Sequence, residues 1–263
     1  MTYKEYKIKK KSGKLRKIVS PSPELKRYQR SKLSFLTKAF KRNATSAGVG
    51  KCFHGFIPGF NCVTAATKHI GYETTIMFDL ANFFDTVTPD HIDKVDSTIL
   101  QDQDISKLFH KDGYAAQGFP TSPLIANIAL IKVIAEIQHW LDAWLKGKSV
   151  ITVYADDIQI STTVTDIHTI TNIKRIVNEA VLHGGFLLNH NKTRVRFAKY
   201  GARRILGVNV YESSIQATRK TNRKVRAVQG SLRHSAEKAQ VLGGLRAWQG
   251  CHLPKGKEDT FSL

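Results

Sequence analysis

Asp156 and Asp157 stand side by side between two apolar runs, Val150-Ile151-Thr152-Val153 and Ile158-Gln159-Ile160. The runs read as two strands, with the carboxylates at the turn between them. Like charges ~4 Å apart repel by about 4 kcal/mol at an effective dielectric near 20, so a cation must offset the pair. Oxygen ligands of this kind suit Mg²⁺. A second strand pattern, Thr75-Ile76-Met77-Phe78-Asp79, ends in another carboxylate. Three carboxylates at the ends of adjacent strands are enough to hold two metal ions, which can stabilise both oxygens of a phosphoryl transfer. An Asp-Asp pair alone is more often a polar turn, and a lone Asp79 a helix cap. What surrounds them decides.

Forty-one Lys and Arg residues face 21 Asp and Glu, a formal charge of +20 on 263 residues. A chain this basic calls for a polyanionic partner, most often nucleic acid. The length suffices for one compact core with a small appendage. No apolar core follows the Lys-rich start, so no signal peptide is expected. The most apolar stretch, Pro123 to Trp140, is interrupted by Asn127, Lys132, Glu136 and Gln138. It reads as a buried helix, and no membrane partner is expected. Cys52, Cys62 and Cys251 lack metal-ligand spacing, which suggests a reducing cytoplasm with neither disulfides nor zinc.

The elements that position the carboxylates follow in order. Lys7, Lys9, Lys10, Lys11, Lys14, Arg16 and Lys17 flank Ser12-Gly13, which predicts a basic hairpin ended by Pro21 and Pro23. Lys14 and Arg16 could meet a triphosphate, or the hairpin could be a solvated arm touching only a nucleic-acid backbone. Helical spacing runs from Glu24 to Phe40. Glycines and Pro58 then surround Phe53-His54-Gly55-Phe56; a lone His54 is more often structural, but it is retained as a candidate nucleic-acid contact. A short helix is expected over Cys62–His69, and another after Thr88-Pro89. Residues 101–114 read as a polar helix or connection. Gln117-Gly118-Phe119-Pro120-Thr121-Ser122-Pro123 is a loop opening into a long helix that ends near Leu145, able to present backbone N–H groups to a ligand. Asp166–His183 is an amphipathic helix ended by Gly184-Gly185. Phe186–Leu188, Val195–Phe197 and Ile205–Val210 read as strands. Arg219, Arg223, Arg226 and Arg233 mark a basic helix over Thr221–His234, and a second helix covers Ala236 to Trp248, with a polar tail after Pro254.

In this order, the basic hairpin, Phe78-Asp79…Phe83-Phe84, Gln117-Gly118…Ser122-Pro123, Tyr154-Ala155-Asp156-Asp157, Gly185…Asn189…Lys192-Thr193 and Leu206-Gly207 resemble the reverse transcriptases. The resemblance is to the compact bacterial enzymes of retrons and their defence-associated relatives, and it covers about Arg16 to Trp248. It implies an α+β right-hand polymerase fold: fingers over 1–72 with 101–120 contributing, an antiparallel-sheet palm over 73–217, and a small helical thumb and tail over 218–263. By the same resemblance Asp79, Asp156 and Asp157 would be catalytic and hold two Mg²⁺ ions, with Mn²⁺ able to substitute. Lys192 would give a proton to the leaving pyrophosphate. Lys14, Arg16, Leu80, Phe83, Gln117 and Gly118 would line the dNTP, with Phe83 rather than Phe84 excluding the ribose 2′-hydroxyl. Tyr154 joins His54, Arg219, Arg223 and Arg226 as candidate nucleic-acid contacts.

The activity implied is RNA-directed DNA synthesis on a structured non-coding RNA in a retron-like anti-phage system, with dNTPs, an RNA–DNA product and an effector protein as partners. A defence or abortive-infection reverse transcriptase making untemplated or differently templated DNA, and an idle RNA-binding scaffold, are the alternatives. Two departures bear on the subfamily. Ala65-Ala66-Thr67-Lys68-His69 keeps the His but not the Asn of the retron Asn-Ala-x-x-His segment, and Ile205-Leu206-Gly207 stands where Val-Thr-Gly is common. No room is expected for an added maturase or endonuclease domain.

Overall fold

The computed structural model describes residues 2–9, 13 and 15–231. Lys14, Arg233, the expected helix Ala236–Trp248 and the tail lie outside those residues. Strands β1 (Tyr3–Lys9) and β2 (Leu15–Pro21) pair antiparallel, as the Ser12-Gly13 break predicts, with Gly13 at φ +82°. Ser22 caps the next helix, α1 (Pro23–Ser46), by accepting from the Leu25 N–H. It runs past the expected end at Phe40 because Ala44 continues the buried face. A short α2 (Cys62–Thr67), capped by Asn61, leads into β3 (Thr74–Asp79). The short α3 (Phe83–Thr86) is followed by α4 (Pro89–Asp96), opened by reciprocal hydrogen bonds between Thr88 and His91. The 101–114 stretch is mostly connection around a single turn, α5 (Ile105–Leu108).

The long α6 (Ser122–Leu145) is apolar enough by composition to cross a membrane, yet most of it is buried in the core. Then come β4 (Ser149–Tyr154), β5 (Asp157–Thr162), α7 (Ile167–His183), β6 (Arg194–Phe197), β7 (Arg203–Ile205), β8 (Val208–Val210), β9 (Ile215–Ala217) and α8 (Arg219–Ser231).

The central sheet has the order β4–β5–β3–β6, every pairing antiparallel. Side chains alternate across it. Ile151, Val153, Ile76, Phe78, Ile158 and Ile160 face one way and join the main core with α1, α6 and α7. Each such aliphatic or aromatic side chain stabilises the fold by roughly 1.5–3 kcal/mol. Tyr154, Thr152, Asp157, Gln159, Ser161, Asp79 and Thr75 fall on the opposite face.

Two expected strands differ. Ile205–Val210 is a tight hairpin, because Leu206 (φ +47°) and Gly207 (φ +83°) turn the chain between β7 and β8. Both central residues at positive φ make the turn that suits a two-residue hairpin loop; the apolar Leu206 disguises it as strand. Its third strand, β9, carried no recognised pattern. Phe186–Leu188 is extended only enough for Leu188 to bridge Leu80. A small second core under this hairpin joins Val63, Ala66 and Ile70 to Ile205, Val208, Val210 and Ile215.

Candidate active site

Asp79 is the last residue of β3 and pairs across the sheet with Asp157, the first residue of β5. Antiparallel register thus brings together two carboxylates far apart in sequence. Asp156 occupies the turn with Ala155, whose φ is +56°. The Asp156 carbonyl accepts from the Leu80 N–H at 2.9 Å, clamping the end of β3 to the turn.

A shelf supports this turn. The His54 N–H donates to the Val153 carbonyl at 2.9 Å, and Asn127 Nδ2 donates to the Gly55 carbonyl at 2.8 Å. A Cβ on Gly55 would lie 2.8 Å from the Ala155 backbone nitrogen, so only glycine lets the two loops meet. His54 itself is wholly buried, with Nδ1 2.9 Å from Thr64 Oγ1 and its ring against Phe60. Burial holds its pKa down to about 4. Its expected contact with nucleic acid is therefore corrected: the side chain reaches no surface, and its loop seats the Asp-Asp turn.

Burial raises the Asp157 pKa to about 7, with the charges of Asp156 and Asp79 adding to the effect. Asp156 is raised for the same reason, chiefly burial, against an opposing pull from Lys192 and Arg16. Lys192 lies on a turn after Asn189, whose N–H donates to the Asp79 carbonyl at 2.7 Å. Its ammonium donates to both Asp79 oxygens, at 2.8 and 2.9 Å. The donor set suits a hard divalent cation, and the Lys192 ammonium stands in for one on Asp79. Among the described residues no three His, Cys, Asp or Glu side chains lie close enough to share an ion in this arrangement.

The Gln117-Gly118 loop is fastened to the N-terminal hairpin. The Val19 N–H donates to the Gln117 carbonyl at 2.8 Å. Gly118 has φ +115°, and a Cβ there would lie 2.2 Å from the Val19 carbonyl oxygen. Gln117 is half-buried and Arg16 exposed. Leu80 is buried, so it offers the site backbone rather than side chain. Phe83 is only 3 % exposed, wedged between Phe186 (5.5 Å) and Phe84 (5.6 Å). Tyr154 is half-buried beside Phe56, its pKa raised by burial. Arg219, Arg223 and Arg226 are exposed on one face of α8, with Thr221 and Val225 buried on the other.

Sequence reasoning missed a polar network under the β7–β8 hairpin. His69 Nδ1 lies 2.7 Å from Ser161 Oγ, and Nε2 lies 2.8 Å from Thr152 Oγ1. Ser161 meets Thr75 at 2.7 Å. Arg203, wholly buried, donates to the His69 carbonyl at 2.9 Å and to Thr75 Oγ1 at 3.2 Å. The alternating polar residues Thr152, Gln159 and Ser161 were the signal available.

An antiparallel sheet backed by helices, with carboxylates at the end of a central strand and in the neighbouring hairpin turn, is the palm of a right-hand polymerase. The whole is an α+β fold. The chain belongs to the reverse transcriptase family: the profile described as "Reverse transcriptase (RNA-dependent DNA polymerase)" matches residues 8–210. It is 28 % identical to the retron Mx65 reverse transcriptase of Myxococcus xanthus over 86 % of this chain and 55 % of that one. It is 30 % identical to the retron Mx162 reverse transcriptase of the same organism, over 90 % and 53 %. The retron Ec86 reverse transcriptase of Escherichia coli is 26 % identical over 86 % and 68 %.

These relatives support the resemblance to compact, retron-type bacterial enzymes; the chain spans about half the length of the two from Myxococcus. Among solved structures it is similar to telomerase from Candida tropicalis in complex with a TWJ fragment of telomeric RNA, with a TM-score of 0.59 at 12 % identity over 94 % of this chain and 52 % of that one. A C-terminally truncated apo telomerase from the same organism gives 0.58 at 14 %, over 82 % and 55 %. At such identities the likeness speaks to the fold alone.

Proposed function

We propose that the chain is an RNA-directed DNA polymerase that copies a cognate structured RNA into DNA from dNTPs. The observation that carries this reading is the pairing of Asp79 with Asp157 beside the Asp156 turn, in a chain of this family. Asp79, Asp156 and Asp157 would hold two Mg²⁺ ions. When bound, these supply charge neutralisation at the triphosphate and activation of the primer hydroxyl.

The protein's own groups do the rest. Released from Asp79, the Lys192 ammonium is free to turn to the leaving pyrophosphate and give it a proton. Arg16, with Lys14 two residues before it in the sequence, would hold the triphosphate. The Gln117-Gly118 loop, fixed to β2, would wall the base-pairing site, and Phe83 would close the space a ribose 2′-hydroxyl needs. Arg219, Arg223 and Arg226 would ride the phosphate backbone from the thumb. The division into fingers over 1–72, palm over 73–217 and thumb from 218 belongs to the same proposal.

Primer extension on an RNA template with Mg²⁺ and dNTPs tests it. Asp156→Asn is expected to lower the rate by roughly a thousandfold, as loss of a group stabilising developing charge does. Equal rates would sink the proposal. Sequencing the nucleic acids that co-purify separates templated from untemplated synthesis. A DNA complementary to the bound RNA, present only with the wild type, supports copying.

A further inference from the structure

We propose that the outer end of the palm carries a second nucleic-acid site, which stacks an unpaired RNA base on Tyr200 and holds its flanking phosphates with Arg196 and Arg204. Tyr200 is 79 % exposed. A ring this open has area free to take a stacking partner. It stands on a short helical turn, Ala198–Tyr200, held at one end by the Ala198 N–H donating to the Glu73 carbonyl at 2.7 Å. The other end is closed by Gly201 at φ +108°, a conformation that glycine adopts without strain. The ring is thus displayed by a fixed turn.

Its surroundings select the ligand. Arg196, Phe197, Tyr200, Arg204 and Asn209 line a cavity of about 360 Å³, and no carboxylate is among its lining residues. Arg196 and Arg204 are exposed. Lys199 Nζ lies 4.9 Å from the Tyr200 ring centre and 5.8 Å from that of Phe197. Cations around an open aromatic ring suit a flat apolar unit joined to anions, which is the chemistry of a single-stranded nucleic acid. The site is separate from the catalytic corner. Phe197 pairs with Thr74, at the opposite end of β3 from Asp79. That places the patch about 17 Å away along a strand that rises ~3.3 Å per residue. It suits a part of a structured RNA other than the segment being copied. The choice of RNA over DNA rests on the function proposed above; the site itself does not.

The test is photocrosslinking with a thiouridine-bearing oligouridylate, located by mass spectrometry, on the full chain. A crosslink on the peptide holding Tyr200 is expected, falling about tenfold in Tyr200→Ala, the size of one lost base stack, and retained in Tyr200→Phe. Arg196→Ala with Arg204→Ala should weaken it and flatten its salt dependence, and a fully paired RNA duplex should not crosslink there. Absence of that crosslink, or equal yield from duplex, overturns the proposal. So does a homodimer that Tyr200→Ala splits in sedimentation, since the ring would then face a second copy. Tyr200→Ala should still extend oligo(dT) on poly(rA). Should the wild type extend nothing while the crosslink persists, the polymerase reading fails and this site stands.

Discussion

The two ends of one sheet face solve opposite problems. At one end Asp79 and Asp157 face each other with Asp156 alongside, and two of the three carboxyls are pushed up towards protonation. At the other end Thr75, Thr152 and Ser161 are knitted by His69 and Arg203 into a network in which nearly every polar atom has a partner. The first end is poised for a cation; the second is closed beneath the β7–β8 hairpin. The contrast teaches where the stability for the strained end comes from. A buried polar network costs little when satisfied and much when broken, so it holds the strands in register while the carboxylates repel.

The largest loss of stability from a single substitution should come from breaking the quiet end. Arg203→Ala leaves the His69 carbonyl and the Thr75 hydroxyl without their donor and opens a cavity. A loss of about 3 kcal/mol is expected, read as a Tm fall of roughly 6–12 °C by calorimetry. A shift under ~2 °C would mean that the network does not hold the sheet.

Acid should attack the same end through His69, and the shelf beneath the Asp-Asp turn through His54. Burial depresses the His69 pKa to about 3 and the His54 pKa to about 4. The unfolded chain takes up protons near pH 6.5, while the folded chain keeps both rings neutral. Their contribution is therefore complete above pH 6.5 and falls as the pH drops towards the folded values. At pH 5 each loses about 2 kcal/mol. Denaturant titrations at pH 7 and 5 check this, and His69→Gln should blunt the difference.

The catalytic end should behave in reverse. Asp157 is raised to about 7 in the fold, so its ionisation between the ordinary carboxylate range and pH 7 destabilises the metal-free protein. Asp157→Asn removes that cost and should stabilise the chain at pH 8 by about 1 kcal/mol or more. Equal or lower stability there would show that the carboxylates are already compensated.

The smallest effect concerns Phe83, whose burial beside Phe186 makes it a rigid wall. Phe83→Leu should raise rNTP over dNTP incorporation several-fold in competition assays, and Phe84→Leu should not. An unchanged ratio in the first, with a change in the second, would move the gate to Phe84.

Much of the catalytic corner was legible in the sequence because local patterns carry it. Apolar alternation placed Asp79 at a strand end and Asp156-Asp157 at a turn, and the +20 charge pointed to nucleic acid. The helices also followed from periodicity and, for α4, from the Thr88-Pro89 start, while the Ser22, Asn61 and Asp166 caps emerged only with the structure. Backbone conformation and long-range pairing stayed hidden. Leu206 looks like any strand residue until its φ is known, and Ile205–Val210 folds back only because a second core draws β7 and β8 onto α2. His54 read more often as structural than as a ligand contact, and only its surroundings decided it.

The sequence by itself determined the identity and order of the chemical groups, the strand and helix periods, and the sign of the charge. Tertiary structure alone decided that Asp79 meets Asp157, that Lys192 holds Asp79, that His69 and Arg203 close a network beneath the hairpin, and that Tyr200 is left in solvent. The physical reason is range. Propensity and periodicity act over one or two turns of chain, whereas these contacts join residues many tens of positions apart and form only when the whole core closes.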